Sequence, residues 1–258
     1  MSRILAGNWK MNLGLEEARA LYAAVAGAKP LYPRITTLVF APATAIFALA
    51  EANRSKGGPA IGGQTCHPEP KGAFTGEISA EQLRDAGAEY VLVGHSERRR
   101  LFCESDQLTR AKLAAAWRAS LIPVLCVGET LAERDRQETR TVIARQLQRA
   151  LESVPARAPL YVAYEPVWAI GTGVVATPEQ VAEAHVWVRE ELNGLGRKET
   201  GAPILYGGSV DPKNAASLAA IAEVDGFLVG GASLTAPSFL AIAAALDAAA
   251  AQGGARVH

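Results

Sequence analysis

Hydrophobic and polar positions along the chain form a repeating two-part pattern. Short apolar runs alternate with longer segments of helical periodicity from one end to the other. The runs are Ile4–Gly7, Thr37–Phe40, Ala60–Gly63, Tyr90–Gly94, Ile122–Val127, Leu160–Tyr164, Ile204–Tyr206 and Gly226–Val229. Most lack a two-residue alternation, as expected for strands of a parallel sheet covered on both faces. The segments between them carry helix-start chemistry. Ser79–Gln82, Thr130–Glu133 and Thr177–Gln180 each pair a hydroxyl with a Glu or Gln three residues on, the spacing of a capping box. Pro178 suits a first helical position, and Asp211-Pro212 predicts another cap followed by proline. Beyond Thr177, the residues Val181, Ala184, Val188 and Leu192 share one helical face. The Ala-rich stretch 241–251 predicts a helix, with Phe239, Ile242 and Leu246 at steps of three and four; after Gly253-Gly254 the chain is expected to fray. No linker interrupts the series. Strand–helix units repeated in this way predict an α/β fold, a single-domain (β/α)8 barrel of parallel strands spanning residues 1–258.

Composition narrows the function. With 258 residues and 49% hydrophobic content the chain can bury a large core. The 26 basic and 26 acidic residues cancel, so there is no electrostatic footprint for nucleic acid or an anionic membrane. A small local anion site is still allowed. The N-terminal MSRILAGNWKMN turns polar too early for a signal peptide, and no apolar run reaches 18 residues, so no membrane span is expected. Cys66, Cys103 and Cys126 form no CxxC pair, which predicts reduced thiols and a cytoplasmic protein. The histidines and cysteines show no metal-ligand spacing, so no metal is expected.

In such barrels the chemistry sits at the carboxyl ends of the strands. The first run is followed by Asn8-Trp9-Lys10, the fourth by His95-Ser96-Glu97-Arg98 and the sixth by Glu165-Pro166-Val167-Trp168. Glycine-rich turns follow at Gly171–Gly173, Gly207-Gly208-Ser209 and Gly230-Gly231. A strand-end carboxylate is more often a surface charge, but Glu165 lies among apolar residues, where its proton affinity would rise toward that of a general base. His67, His185 and His258 read as structural. His95 differs, because Ser96 is positioned to cap the next helix and the positive helix end disfavours imidazolium. Lys10 at the first strand end reads as facing a substrate. The glycine turns let backbone N–H groups converge on a phosphate. Gly171–Ala176 fits G-x-G-x-x-A, but Pro166–Ile170 separates it from the strand and Glu190 and Glu191 fall within a helical pattern, against a dinucleotide site. No G-x-x-x-x-G-K-[ST] loop is present.

The motifs Gly7–Asn12, Gly94–Arg99, Ala163–Gly173, Tyr206–Val210 and Val229–Gly231, with Gly72–Gly76, resemble the triosephosphate isomerase family in order and spacing. The glutamate base and neutral histidine of this family are a long-established worked case of tuned acid–base chemistry in general enzymology. The resemblance implies interconversion of dihydroxyacetone phosphate and D-glyceraldehyde 3-phosphate through an enediolate, in glycolysis and gluconeogenesis, with no cofactor. It implies Glu165 as base, neutral His95 as electrophile and proton shuttle, and Lys10 as electrostatic stabiliser. Asn8 would bond the substrate oxygen. The backbone amides of Gly171, Ser209, Gly230 and Gly231 would hold the phosphate. Ile170 and Leu228 would clamp Glu165, Ser96 and Glu97 would support the site, and 166–176 would close as a lid. A homodimer through Gln64–Gly76 is implied, with Thr75 near the neighbouring site. Val174 stands where the family often has Lys, and Thr65 where Asn or Asp is common; the first bears on lid kinetics, the second on subunit contacts. Two other readings stay open: a Schiff-base aldolase using Lys10, and a sugar-phosphate-binding barrel without catalysis.

Overall fold

The computed structural model describes residues 2–54, 57–171, 174–198 and 201–253. Eight strands run β1 (Arg3–Asn8), β2 (Ile35–Phe40), β3 (Ala60–Gly63), β4 (Tyr90–Val93), β5 (Ile122–Val127), β6 (Tyr161–Tyr164), β7 (Ile204–Tyr206) and β8 (Gly226–Val229). Each pairs in parallel with its sequence neighbour, and β1 pairs with β8, closing the barrel. The described α-helices are α1 (Leu15–Ala28), α2 (Ala43–Asn53), α3 (Ala80–Asp85), α4 (Ser96–Leu101), α5 (Asp106–Arg118), α6 (Leu131–Asp135), α7 (Thr139–Leu151), α8 (Pro178–Gly194), α9 (Ala215–Ala219) and α10 (Ala236–Gly253).

Two cores explain the continuous apolar runs. One fills the barrel, with Ile4, Ala6, Leu38, Phe40, Leu92, Val124, Cys126, Ala163, Leu205 and Leu228. The other lies between the strands and the helices and takes the alternate residues, such as Leu5, Val39, Val91, Leu125 and Val162. Both strand faces are buried, so no polar face alternates with them. The interior parity also aims the strand ends. Asn8 continues Ile4 and Ala6, and Glu165 continues Ala163, so both point toward the barrel axis at its carboxyl end.

The capping boxes at Ser79, Thr130 and Thr177 are all formed, with Pro178 in the first turn of α8. Val181, Ala184, Val188 and Leu192 are buried on one face of α8, as are Phe239, Ile242 and Leu246 on α10. Asp211 departs from expectation. Its carboxylate accepts from the N–H groups of Lys213 and Asn214, at 2.7 and 3.0 Å, and so caps a turn; α9 begins only at Ala215. The tail after Gly253 lies outside the described residues. All three cysteines are free. Among the described residues, no helix is long and apolar enough to cross a membrane.

Candidate active site

A cavity of about 380 Å³ opens at the carboxyl end of the barrel. Asn8, Lys10, His95 and Glu165 line it, at or just past the ends of β1, β4 and β6. Ile170, Gly171, Ser209, Leu228, Gly230 and Gly231 line it elsewhere. Ser96 and Glu97 stand just behind it and bond its lining residues. Thr172 and Gly173, within the expected lid, lie outside the described residues.

Gly94 decides which side chain of the β4 end faces the cavity. Its φ of 73° breaks the strand's alternation, so His95 turns inward. His95, not Ser96, is the N-cap of α4: its Nδ1 accepts the N–H of Glu97 at 3.2 Å. A nitrogen that accepts a backbone N–H carries no proton, so the ring proton is assigned to Nε2. That Nε2 lies 3.0 Å from Oε1 of Glu165. The other Glu165 oxygen accepts the Ser96 N–H at 2.8 Å. Ser96 therefore serves through its backbone, where the sequence predicts a side-chain cap.

The electrostatics of this pair differ from the expectation for Glu165. Burial pushes the carboxyl pKa up, but the contact with His95, the Ser96 N–H and the charge of Lys10 hold it below its usual value. Burial likewise disfavours the His95 imidazolium, yet the Glu165 carboxylate and, more weakly, Glu97 move the His95 pKa up, opposite in direction to the effect expected from the helix end. The carboxylate is thus stabilised by the group that would have to face a substrate carbonyl.

Lys10 sits in a left-handed conformation, φ 51°, an uncommon one for a residue with a side chain. Its N–H is held by Asn8 Oδ1 at 3.0 Å and its carbonyl accepts from Gln64 Nε2 at 2.8 Å. Its Nζ meets Glu97 Oε1 at 2.6 Å. Glu97 thus anchors the ammonium beside the cavity and also supplies the N–H that fixes the His95 tautomer.

The turn after β7 is tied down by Ser209 Oγ, which donates to the Ala169 carbonyl at 2.8 Å, and by Asn214 Nδ2, which donates to the Ser209 carbonyl at 3.0 Å. At the β8 end, Gly230 is followed by a 3-10 turn over Gly231–Ser233.

Glu129 is not singled out by the sequence motifs. It is fully buried, and its carboxylate accepts from Trp168 Nε1 at 2.7 Å, from Tyr164 Oη at 3.1 Å and from Arg134 Nη1 at 3.1 Å. It lies just past the end of the fifth strand, so the strand-end rule that picks out Glu165 also points to Glu129. His67 and His185 lie outside the cavity. His67 packs against Phe74 with the ring planes tilted by 36°, and His185 is buried with Nδ1 2.9 Å from the Glu223 carbonyl.

Comparison with known proteins matches residues 3–246 to the family model described as triosephosphate isomerase. A triosephosphate isomerase from Afipia carboxidovorans is 51% identical over 244 residues, covering 94% of this chain and 96% of its own. One from Xanthobacter autotrophicus is 51% identical over 249 residues, covering 95% and 97%. A crystal structure of triosephosphate isomerase from Bartonella henselae superposes with a TM-score of 0.84 at 40% identity, covering 95% of this chain and 99% of that one.

Proposed function

The chain belongs to the triosephosphate isomerase family and interconverts dihydroxyacetone phosphate and D-glyceraldehyde 3-phosphate, and from that premise we propose that Glu165 is its general base, His95 its electrophile and Lys10 its electrostatic stabiliser. The observation that carries the reading is the Glu165–His95 contact of 3.0 Å, with Lys10 lining the same cavity.

The substrate phosphate is held by the backbone amides of Gly171, Ser209, Gly230 and Gly231, and Asn8 bonds a substrate oxygen. The carbonyl takes the Nε2–H of His95. That proton is occupied by Glu165 in this structure, so the carboxylate must leave His95 and the Ser96 N–H to reach the substrate carbon. Leaving removes the His95 and Ser96 contacts, two of the interactions that depress its pKa. Ile170 and Leu228 line the same cavity and keep the carboxylate in apolar surroundings, so its basicity rises when it is needed. Glu165 then takes the carbon-bound proton beside the carbonyl. The C–H electron pair moves into the enediolate, whose oxygen charge is met by His95 and Lys10. His95 moves the proton between the two oxygens, and Glu165 returns its proton to the neighbouring carbon. Closure of 166–176 excludes water, which would promote loss of phosphate from the enediolate.

The same reading makes the protein a cytoplasmic homodimer. Residues 69–77 are all exposed in the single chain, and 69–76 fall within the Gln64–Gly76 segment expected to reach the partner.

Turnover in deuterium oxide tests the proton-transfer route. A base that exchanges with solvent puts carbon-bound deuterium into the product. A folded Glu165→Gln that puts deuterium into the product as fast as wild type would remove Glu165 from its role.

A further inference from the structure

Gln146 is a buried amide on α7 that the mechanism above does not use. It lies among Val142, Ile143, Leu147 and Ala150, which are all buried on the same helix. A primary amide in such surroundings is tolerated only when its donor and acceptor are both met. A single residue meets them. Gln146 Oε1 accepts the Gly128 N–H at 2.8 Å, and Nε2 donates to the Gly128 carbonyl at 3.1 Å. The pairing fixes the amide orientation, since the reverse would set oxygen on oxygen. Gln146 thus acts on Gly128 as a neighbouring strand would, one residue beyond the end of β5.

Gly128 in turn lies directly against Glu165. A Cβ built on Gly128 would lie 2.6 Å from the Glu165 carbonyl carbon and would collide with its oxygen. The residues on either side of Gly128 bond the same segment: Glu165 N–H donates to the Val127 carbonyl at 2.7 Å, and Val167 N–H donates to the Glu129 carbonyl at 3.1 Å. Glu129 also holds Trp168 at the root of the expected lid. Gln146, Gly128 and the Glu165 backbone are therefore stacked in contact, and close-packed groups transmit displacement.

We propose that Gln146 is a positioning residue: its two hydrogen bonds to Gly128 set the backbone position of Glu165 and so the reach of the carboxylate. The inference rests on Glu165 being the base. Gln146 acts on the proton-transfer step and leaves the phosphate turns alone, because α7 contributes no residue to them.

The test is steady-state kinetics of Gln146→Leu and Gln146→Glu beside Glu165→Gln, each checked for folding by circular dichroism. Gln146→Leu keeps the bulk and removes both bonds. It should lower kcat roughly 10- to 100-fold, as displacements of about an ångström do, while KM changes less than about threefold. Gln146→Glu keeps the acceptor for Gly128 N–H but sets a carboxylate oxygen against the Gly128 carbonyl. Protonation turns that oxygen into a donor. Its kcat relative to wild type should therefore climb as pH falls from about 8 to about 6, a rescue that general loss of stability would not give. A folded Gln146→Leu within twofold of wild-type kcat, a loss carried by KM, or a flat Gln146→Glu ratio would overturn the proposal. If Gln146→Leu does not fold, the pH ratio of Gln146→Glu decides. An active Glu165→Gln would overturn the underlying reading instead, so the two failures are distinct.

Discussion

Lys10 shows how a single residue couples strain to chemistry. A left-handed φ on a side-chain-bearing residue costs about 1–2 kcal/mol, yet Asn8 and Gln64 hold the Lys10 peptide from both sides and Glu97 holds its ammonium. The conformation directs the charge at the cavity in place of solvent. Lys10→Met is expected to lower kcat/KM by roughly 10²- to 10³-fold, the scale for removing one group that meets developing charge. A coupled assay at fixed ionic strength measures it, and a loss below tenfold would leave Lys10 a surface charge. The Lys10, His95 and Glu165 positions were legible from sequence because each closely follows an apolar run. The pairing of Ser96 N–H with Glu165 was not, since a backbone group carries no residue signature. Nor was the depressed pKa of Glu165, because it depends on a contact between residues 70 positions apart in the chain, 165 and 95.

Helices and strands carry their own tests. The α8 capping box ends the segment expected to close, and Thr177 accepts the Gln180 N–H there. Thr177→Ala should cost about 1 kcal/mol of stability, read from the urea midpoint; an unchanged midpoint would mean that the cap contributes nothing. Farther along α8, burial lowers the His185 pKa from 6.5 to about 4. The folded pKa lies below the unfolded one, so the unfolded chain binds the extra proton between these values. The neutral ring then contributes stability fully above pH 6.5 and loses it as pH falls toward 4. Linkage gives a loss of roughly 2 kcal/mol between about pH 7 and pH 5 from this group. His185→Phe should flatten that part of the pH–stability curve; an equal slope in wild type and variant would contradict it. The capping boxes were legible because their chemistry is local, three residues apart. The start of α9 was not: Asp211 caps a turn first, a choice decided by its own two N–H partners. Glu129 joins Tyr164 and Trp168 across two strands, and the parallel pairing of β5 with β6 brings them together.

At the scale of the molecule, barrel closure is what makes three strand ends into one site. The repeating pattern of apolar runs was enough to read the fold, because parallel strands buried on both faces leave few alternatives. The proposed subunit association rests on resemblance alone. Phe74 is 42% exposed at the tip of the segment that would reach a partner, so Phe74→Asp should shift the protein toward monomer in sedimentation equilibrium and lower its activity. An unchanged sedimenting mass would contradict the proposed dimer contact. Glu165 is the centre of the proposed mechanism, and its most direct measurement is turnover of D-glyceraldehyde 3-phosphate by wild type and Glu165→Gln in one coupled assay. Glu165→Gln keeps the shape and removes the base. It is predicted to lose roughly 10³-fold or more in kcat with circular dichroism unchanged, whereas a correctly folded variant turning over within tenfold of wild type would show that another group takes the proton.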